Sequence, residues 1–241
     1  MIIEMTDSTG NSFKTSIIMT AFDFDCTHRL ITVGALGNIQ KYTDTDDYEL
    51  ILMDICPKCD MNTRHHTIRI DKHIKMSEDV GISKARNLGA KEADPSSEYF
   101  CFIDNDVFVY EGWLRKLRSY IESGRCDAVW PHQGPTSREF VLESYIKEGQ
   151  GNDDAGCILI TRKKFEETGG WDEDFVSFYH DKGFRDRMGK VGVRIMCTNQ
   201  VIITHLGGIT SFFQPNWEVK YNKEGESVEI KNLEKKKREV K

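Results

Sequence analysis

No stretch of the chain is an unbroken apolar run of the roughly 18–20 residues that a membrane span needs. Its first ten residues, Met1–Gly10, are acidic and polar rather than basic and then apolar, so no secretory signal is read there. Excess positive charge is also missing. The formal net charge is -6, which gives the bulk of the protein no electrostatic attraction to nucleic acid. The seven cysteines are odd in number and scattered. Cys56-Pro-Lys-Cys59 has no second C-x-x-C and no His pair at finger spacing, which leaves a reduced thiol pair rather than a zinc site. Phe22–His28 contains no glycine and no Walker-type loop occurs elsewhere, which argues against a nucleotidyltransferase or P-loop enzyme. These absences leave a globular, cytoplasmic protein in a reducing compartment.

What is present is an alternation of apolar strands and amphipathic helices. Strands are predicted at Ser16–Ala21, Glu49–Asp54, His66–Ile74, Tyr99–Ile103, Asp127–Trp130, Cys157–Thr161, Val193–Cys197 and Val201–Thr204. Helices are predicted over His28–Tyr42, Ile82–Ala93, Trp113–Ser123, Lys163–Glu167 and Phe184–Val191. Such alternation predicts an α/β domain with a mainly parallel central sheet flanked by helices, whose ligands sit outside the carboxyl ends of the strands. The domain is expected over residues 1–217, and 218–241 reads as a charged appendage. Residues 231–241 carry six basic and two acidic side chains, a basic end suited to peripheral contact with an anionic membrane.

Two carboxylates, Asp54 and Asp104, fall at strand ends, and Asp104-Asn105-Asp106 follows the apolar Tyr99–Ile103. Alternate residues of an extended chain point the same way, so Asp104 and Asp106 can converge on one point. Converging carboxylates repel, and one takes up a proton unless a cation lies between them. A hard divalent ion such as Mn²⁺ or Mg²⁺, with positions open to substrate phosphates, suits that donor set.

The order SIIMTAF, ELILMD, GISKARNLGAKEA, YFCFIDND, AGCILITRKKFEETGGWDEDF, HDKGFRDRMGKVG and VIITHLGGITS resembles the glycosyltransferases of family two, with the GT-A, Rossmann-like single-domain fold. The likeness covers residues 15–212. It implies a metal-dependent transfer of a sugar from a nucleotide-diphosphate donor, of UDP or GDP type, to a hydroxyl of a carbohydrate, lipid-linked or protein acceptor. It further implies that Phe22, Asp54, Arg86, Asp104 and Asn105 bind the nucleotide-sugar. Asp104, Asp106 and His205 would hold the metal, Asp181 would be the catalytic base, and Trp171 and Asp172 would contact the acceptor. Arg86 has the alternative of a structural ion pair.

One departure stands out: His180 precedes Asp181 where the family usually has Glu. The histidine could tune its neighbour or mark an inactive, binding-only module, and Asp172, Glu173 and Asp174 are alternative bases. A second class of reading comes from Phe22-Asp23-Phe24-Asp25-Cys26-Thr27, which resembles the signature of haloacid-dehalogenase-type phosphatases, with Asp23 as nucleophile and Asp25 as acid. Cys26 replaces the glycine usual in that signature.

Overall fold

In the computed structural model, the described residues are 2–5, 14–23, 26–55, 68–133, 156–175, 180–207, 217–221 and 228–232, with the first and last two segments described by their backbone. The thiols Cys56 and Cys59, Asp25 of the phosphatase signature and the basic end of the tail lie outside them.

The strands are β1 (Ile2–Met5), β2 (Thr15–Ala21), β3 (Tyr48–Asp54), β4 (Lys72–Lys75), β5 (Tyr99–Asp104), β6 (Val107–Phe108), β7 (Ala128–Gln133), β8 (Cys157–Thr161) and β9 (Ile195–His205). They form one sheet in the order β1-β4-β3-β2-β5-β8-β7-β9-β6. β4, β3, β2 and β5 run parallel. β8 then enters antiparallel between β5 and β7, and β9 returns parallel to β7. The helices are α1 (Cys26–Tyr42), α2 (Ile82–Glu92), α3 (Trp113–Glu122), α4 (Arg162–Thr168) and α5 (His180–Lys190). A separate hairpin, β10 (Trp217–Tyr221) with β11 (Val228–Asn232), forms in the segment whose sequence is charged. No helix among the described residues is long and apolar enough to cross a membrane.

The central strands β2 and β3 are buried at every position, and largely apolar, because both faces of the sheet are covered. Ile17, Met19, Leu50, Leu52, Cys101 and Ile103 face one way, packing with Leu36 and Ile39 of α1 and Trp113, Leu114 and Leu117 of α3. Ile18, Ile51, Met53, Phe100 and Phe102 face the other way, against Ala85 of α2, Phe165 of α4 and Phe184 and Met188 of α5. Strand register aligns Ala21 with Asp54 and Thr20 with Asp104, so the carboxyl ends of β2, β3 and β5 form one ledge.

The sequence pattern misses β1, the two-residue β6 and the hairpin, all too short or too polar to show a period. Of the predicted His66–Ile74, the described residues from 68 onward contribute strand from Lys72. The two strands read at 193–204 are one, β9, which bulges between the pairs Pro131–Thr198 and His132–Ile202. There the polar Thr198-Asn199-Gln200 interrupts the apolar run. Helix α5 begins at His180 rather than Phe184, its polar first turn carrying Asp181. Asp181 therefore sits where a helix N-terminus favours negative charge.

α2 lies closer to the sheet than a helix bearing larger side chains could. A Cβ on Gly89 would stand 2.5 Å from Cγ2 of Ile18 and 3.2 Å from Met53. Gly89→Ala should therefore destabilise by about 1–3 kcal/mol through overpacking, outweighing the roughly 1 kcal/mol that alanine gains in a helix. Urea unfolding monitored by circular dichroism measures the sign directly.

Candidate active site

The site forms where β5 ends. Asp104 closes the strand, Asn105 and Asp106 make a turn, and β6 leaves it antiparallel to β9. That pairing sets Val107 opposite His205, and Leu206 N–H donates to the Asp106 carbonyl at 3.1 Å. A residue distant in sequence is thus held beside the turn by backbone hydrogen bonds. His205 Nε2 stands 3.2 Å from Asp106 Oδ1 and 3.9 Å from Asp104 Oδ2. One ligand atom from each of the three residues lies within 4.8 Å of the others. Neighbouring ligands of an octahedral ion, each about 2.1 Å from it, stand about 3 Å apart. Two carboxylates and a neutral imidazole at these separations fit a Mn²⁺- or Mg²⁺-sized ion.

The other oxygen of Asp104 is committed. Oδ1 accepts from Arg86 NH2 at 2.6 Å, and Arg86 NH1 reaches Asp181 Oδ1 at 3.5 Å. The Arg86 side chain is wholly buried, with its Cζ 4.2 Å from the centre of the Trp171 ring. One guanidinium therefore joins the metal-type cluster to the proposed base, both as ion-pair partner and through cation–π contact below. His180 is buried as well, its Nε2 3.3 Å from the same Oδ1 of Asp181. Among the carboxylates weighed as bases, Asp181 is the one joined to this cluster. Asp172 pairs with Arg187 at 3.1 Å, while Glu173 and Asp174 are exposed on the rim.

Two residues expected to face substrate turn inward instead. Trp171 does not offer a face to an acceptor sugar. It is 1% exposed, stacked on Phe184 at 4.1 Å and 23°, with Arg86 over its ring. The apolar floor of the site claims it, because leaving so large a ring in water forgoes its burial energy. Asn105 donates its Nδ2 to Thr32 Oγ1 at 2.6 Å and to Asp23 Oδ1 at 3.1 Å, locking the turn to α1 rather than reaching for a donor sugar. Asp54 ends β3 as expected, and its buried carboxylate lies 3.4 Å from His73 Nε2. Phe22 follows β2, half-buried against the second core cluster.

Asn87 went unrecognised in the sequence, although it directly follows Arg86. Its Nδ2 donates to the Trp171 carbonyl and to Glu173, both at 2.9 Å, and its Oδ1 accepts from Trp171 N–H at 2.8 Å. The turn it grips is Gly169-Gly170, with φ of +74° and +81°. At Gly170 a side chain would in addition meet Asn87 Oδ1 at 2.6 Å.

The fold, with a carboxylate cluster at its parallel strand ends, is of the GT-A type. The pattern of glycosyl transferase family 2 matches residues 36–187, and the chain belongs to that family. Among curated proteins it is similar to the O-antigen biosynthesis protein RfbC of Myxococcus xanthus, with 26% identity over 149 residues. That match spans 49% of this chain but only 12% of RfbC. Among solved structures, S. aureus TarS 1-349 in complex with UDP-GlcNAc superposes with a TM-score of 0.62 at 16% identity, covering 81% of this chain and 59% of that one. The mannosyltransferase PcManGT of Pyrobaculum calidifontis, in complex with GDP-Man and Mn²⁺, gives a TM-score of 0.63 at 14% identity over 83% of this chain and 59% of that one. At such identities the likeness is one of fold.

Asp23, the nucleophile of the phosphatase reading, has no surface exposed for a phosphate. Its Oδ1 is held by Thr32 and Asn105, and its Oδ2 is buried without a hydrogen-bond partner among the described residues. Burial raises its pKa from 3.8 to about 6, against a hydrogen bond from Thr32 that lowers it. The folded state thus keeps this proton after the unfolded chain has released it. Its contribution to stability is present below about pH 4 and is lost as pH rises through about 6. Asp23→Asn, neutral throughout, should gain roughly 2–3 kcal/mol over the parent above pH 7 and little at pH 4, at about 1.4 kcal/mol per pKa unit. Melting temperatures across pH test this; a constant difference would refute it.

Proposed function

We propose that the chain is a metal-dependent glycosyltransferase, transferring a sugar from a UDP- or GDP-type donor to an acceptor hydroxyl with inversion at the anomeric carbon. The observation that carries this reading is the Asp104–Asp106–His205 cluster tied through Arg86 to Asp181. UDP-GlcNAc and GDP-Man bound to proteins of the same fold support a nucleotide-sugar donor, and Mn²⁺ in one of them supports the cation.

Asp104, Asp106 and His205 would hold the divalent ion, which when bound would supply a Lewis acid for the departing diphosphate. Asp54 and Phe22 line the nucleotide end of the ledge. Arg86 keeps Asp104 turned so that Oδ2 faces the cluster, and it keeps Asp181 in place. Asp181 takes the proton of the acceptor hydroxyl as that oxygen bonds to the anomeric carbon. The bond to the diphosphate oxygen breaks on the opposite face, which is the origin of inversion. His180, against Asp181, tunes the base. Asp172, paired with Arg187, would contact the acceptor.

Thermal shift with UDP, GDP and other nucleoside diphosphates, with and without Mn²⁺, should show stabilisation by one nucleotide that needs the ion and is lost in Asp106→Asn. No shift with any combination would sink the donor assignment. Asp181→Asn should keep that shift while lowering kcat by about 10²–10⁴. Proton NMR of the product should show the inverted anomer. A nucleotide-sugar bound tightly, with neither transfer nor hydrolysis at any metal concentration, would instead identify a binding module.

A further inference from the structure

Gly156 brings no side chain to the cluster, yet it has the closest approach to His205 of any glycine described. A Cβ built on Gly156 would stand 2.7 Å from His205 Cε1, 2.7 Å from Nδ1 and 3.0 Å from Cγ. Separations this short make a methyl group and the imidazole mutually exclusive. Neither backbone can give way easily. The Gly156 carbonyl accepts from Asp104 N–H at 2.8 Å, and the next residue, Cys157, is paired with Ile103 across β5 and β8. The backbone of His205 is paired with Val107, and Leu206 with the Asp106 carbonyl. With both main chains pinned to the same Asp104–Val107 turn, the adjustable part is the imidazole itself. Its present pose aims Nε2 at Asp106 and Asp104.

We propose that Gly156 is a positioning residue for the divalent-cation site: its missing side chain is the space in which the His205 ring lies when Nε2 faces the two carboxylates. The inference rests on the reading of Asp104, Asp106 and His205 as cation ligands. Gly156 acts on the ion through His205, as residues behind a metal ligand orient it without touching the metal. Any side chain at residue 156 turns the ring away and leaves a two-carboxylate site.

The test uses the full chain and four variants: Gly156→Ala, His205→Ala, the two combined, and Gly189→Ala as a control, where nothing lies within 4 Å. In metal-free protein, the imidazole Cε1–H NMR signal of His205 should move in Gly156→Ala and stay in place in Gly189→Ala. By electron paramagnetic resonance, Mn²⁺ affinity should fall roughly 10- to 100-fold in Gly156→Ala. The double variant should bind no more weakly than His205→Ala, because the three atoms nearest to the methyl group, all within 3.0 Å, belong to the ring. Should Gly156→Ala fold poorly, the double variant should fold as well as His205→Ala. An unmoved His205 signal, a Gly156 effect that persists in full without the imidazole, or a double variant that also fails to fold would overturn the proposal. A parent protein that binds no Mn²⁺ while its His205 signal still moves on Gly156→Ala would sink the cation site and leave the placement of the ring by Gly156 standing.

Discussion

The guanidinium of Arg86 is the interaction on which the rest of the site depends. It is fully buried, and a buried cation is tolerable only where opposite charge and good geometry repay its lost hydration. Asp104 at 2.6 Å and Asp181 at 3.5 Å supply the charge, and the Trp171 ring supplies an electron-rich floor. The dependence is mutual. Without the cation, carboxylates from β5 and α5 would face each other across an apolar floor, and one of them would have to protonate or move away. The same bridge also divides the labour of Asp104: one oxygen anchors, and the other faces His205.

That bridge needs α2 to be close to the sheet. Gly89 lets the helix settle onto Ile18 and Met53, which carries Arg86 under the end of β5. Asn87, the next residue, holds the Gly169–Trp171 turn by both ends of its amide, so the aromatic floor and the cation arrive together. On the other side of Asp104, main-chain pairing of β6 with β9 brings His205 to the turn. The cluster is thus assembled by backbone ladders and small residues, with the charged side chains as their last layer.

Several polar or aromatic residues near the site serve the scaffold rather than substrate. Trp171 and Asn105 both belong to motifs whose residue types suit sugar or ribose contacts, and both are turned inward by stronger local demands. For Trp171 the demand is burial of a large ring beside Phe184, and for Asn105 it is satisfaction of Asp23 and Thr32 beneath the turn. His180 illustrates the opposite case. Its place next to Asp181 follows from chain neighbourhood, but its burial against the Trp171 ring depends on α5 starting four residues earlier than its apolar period indicates.

Much of the fold was legible in the one-dimensional pattern. The largely apolar runs SIIMTA, ELILMD and YFCFID are read as strands covered on both faces, and the carboxylates that end two of them are then expected on the ligand side of the sheet. Residue type and spacing likewise marked Asp104 and Asp106, since converging like charges require a compensating partner, while Arg86, Asp181 and His205 were marked by the family resemblance. Only the tertiary structure decided how they are wired. That Arg86 joins Asp104 to Asp181, that Asn105 and Trp171 face inward, that Asp23 is a buried strut, and that Gly156 makes room for an imidazole are facts about side-chain direction and close approach. A sequence period reports which face of an element is apolar. Which partner a polar group meets, and how closely two backbones pass, depends on contacts between segments far apart in the chain, and these leave no local period to read.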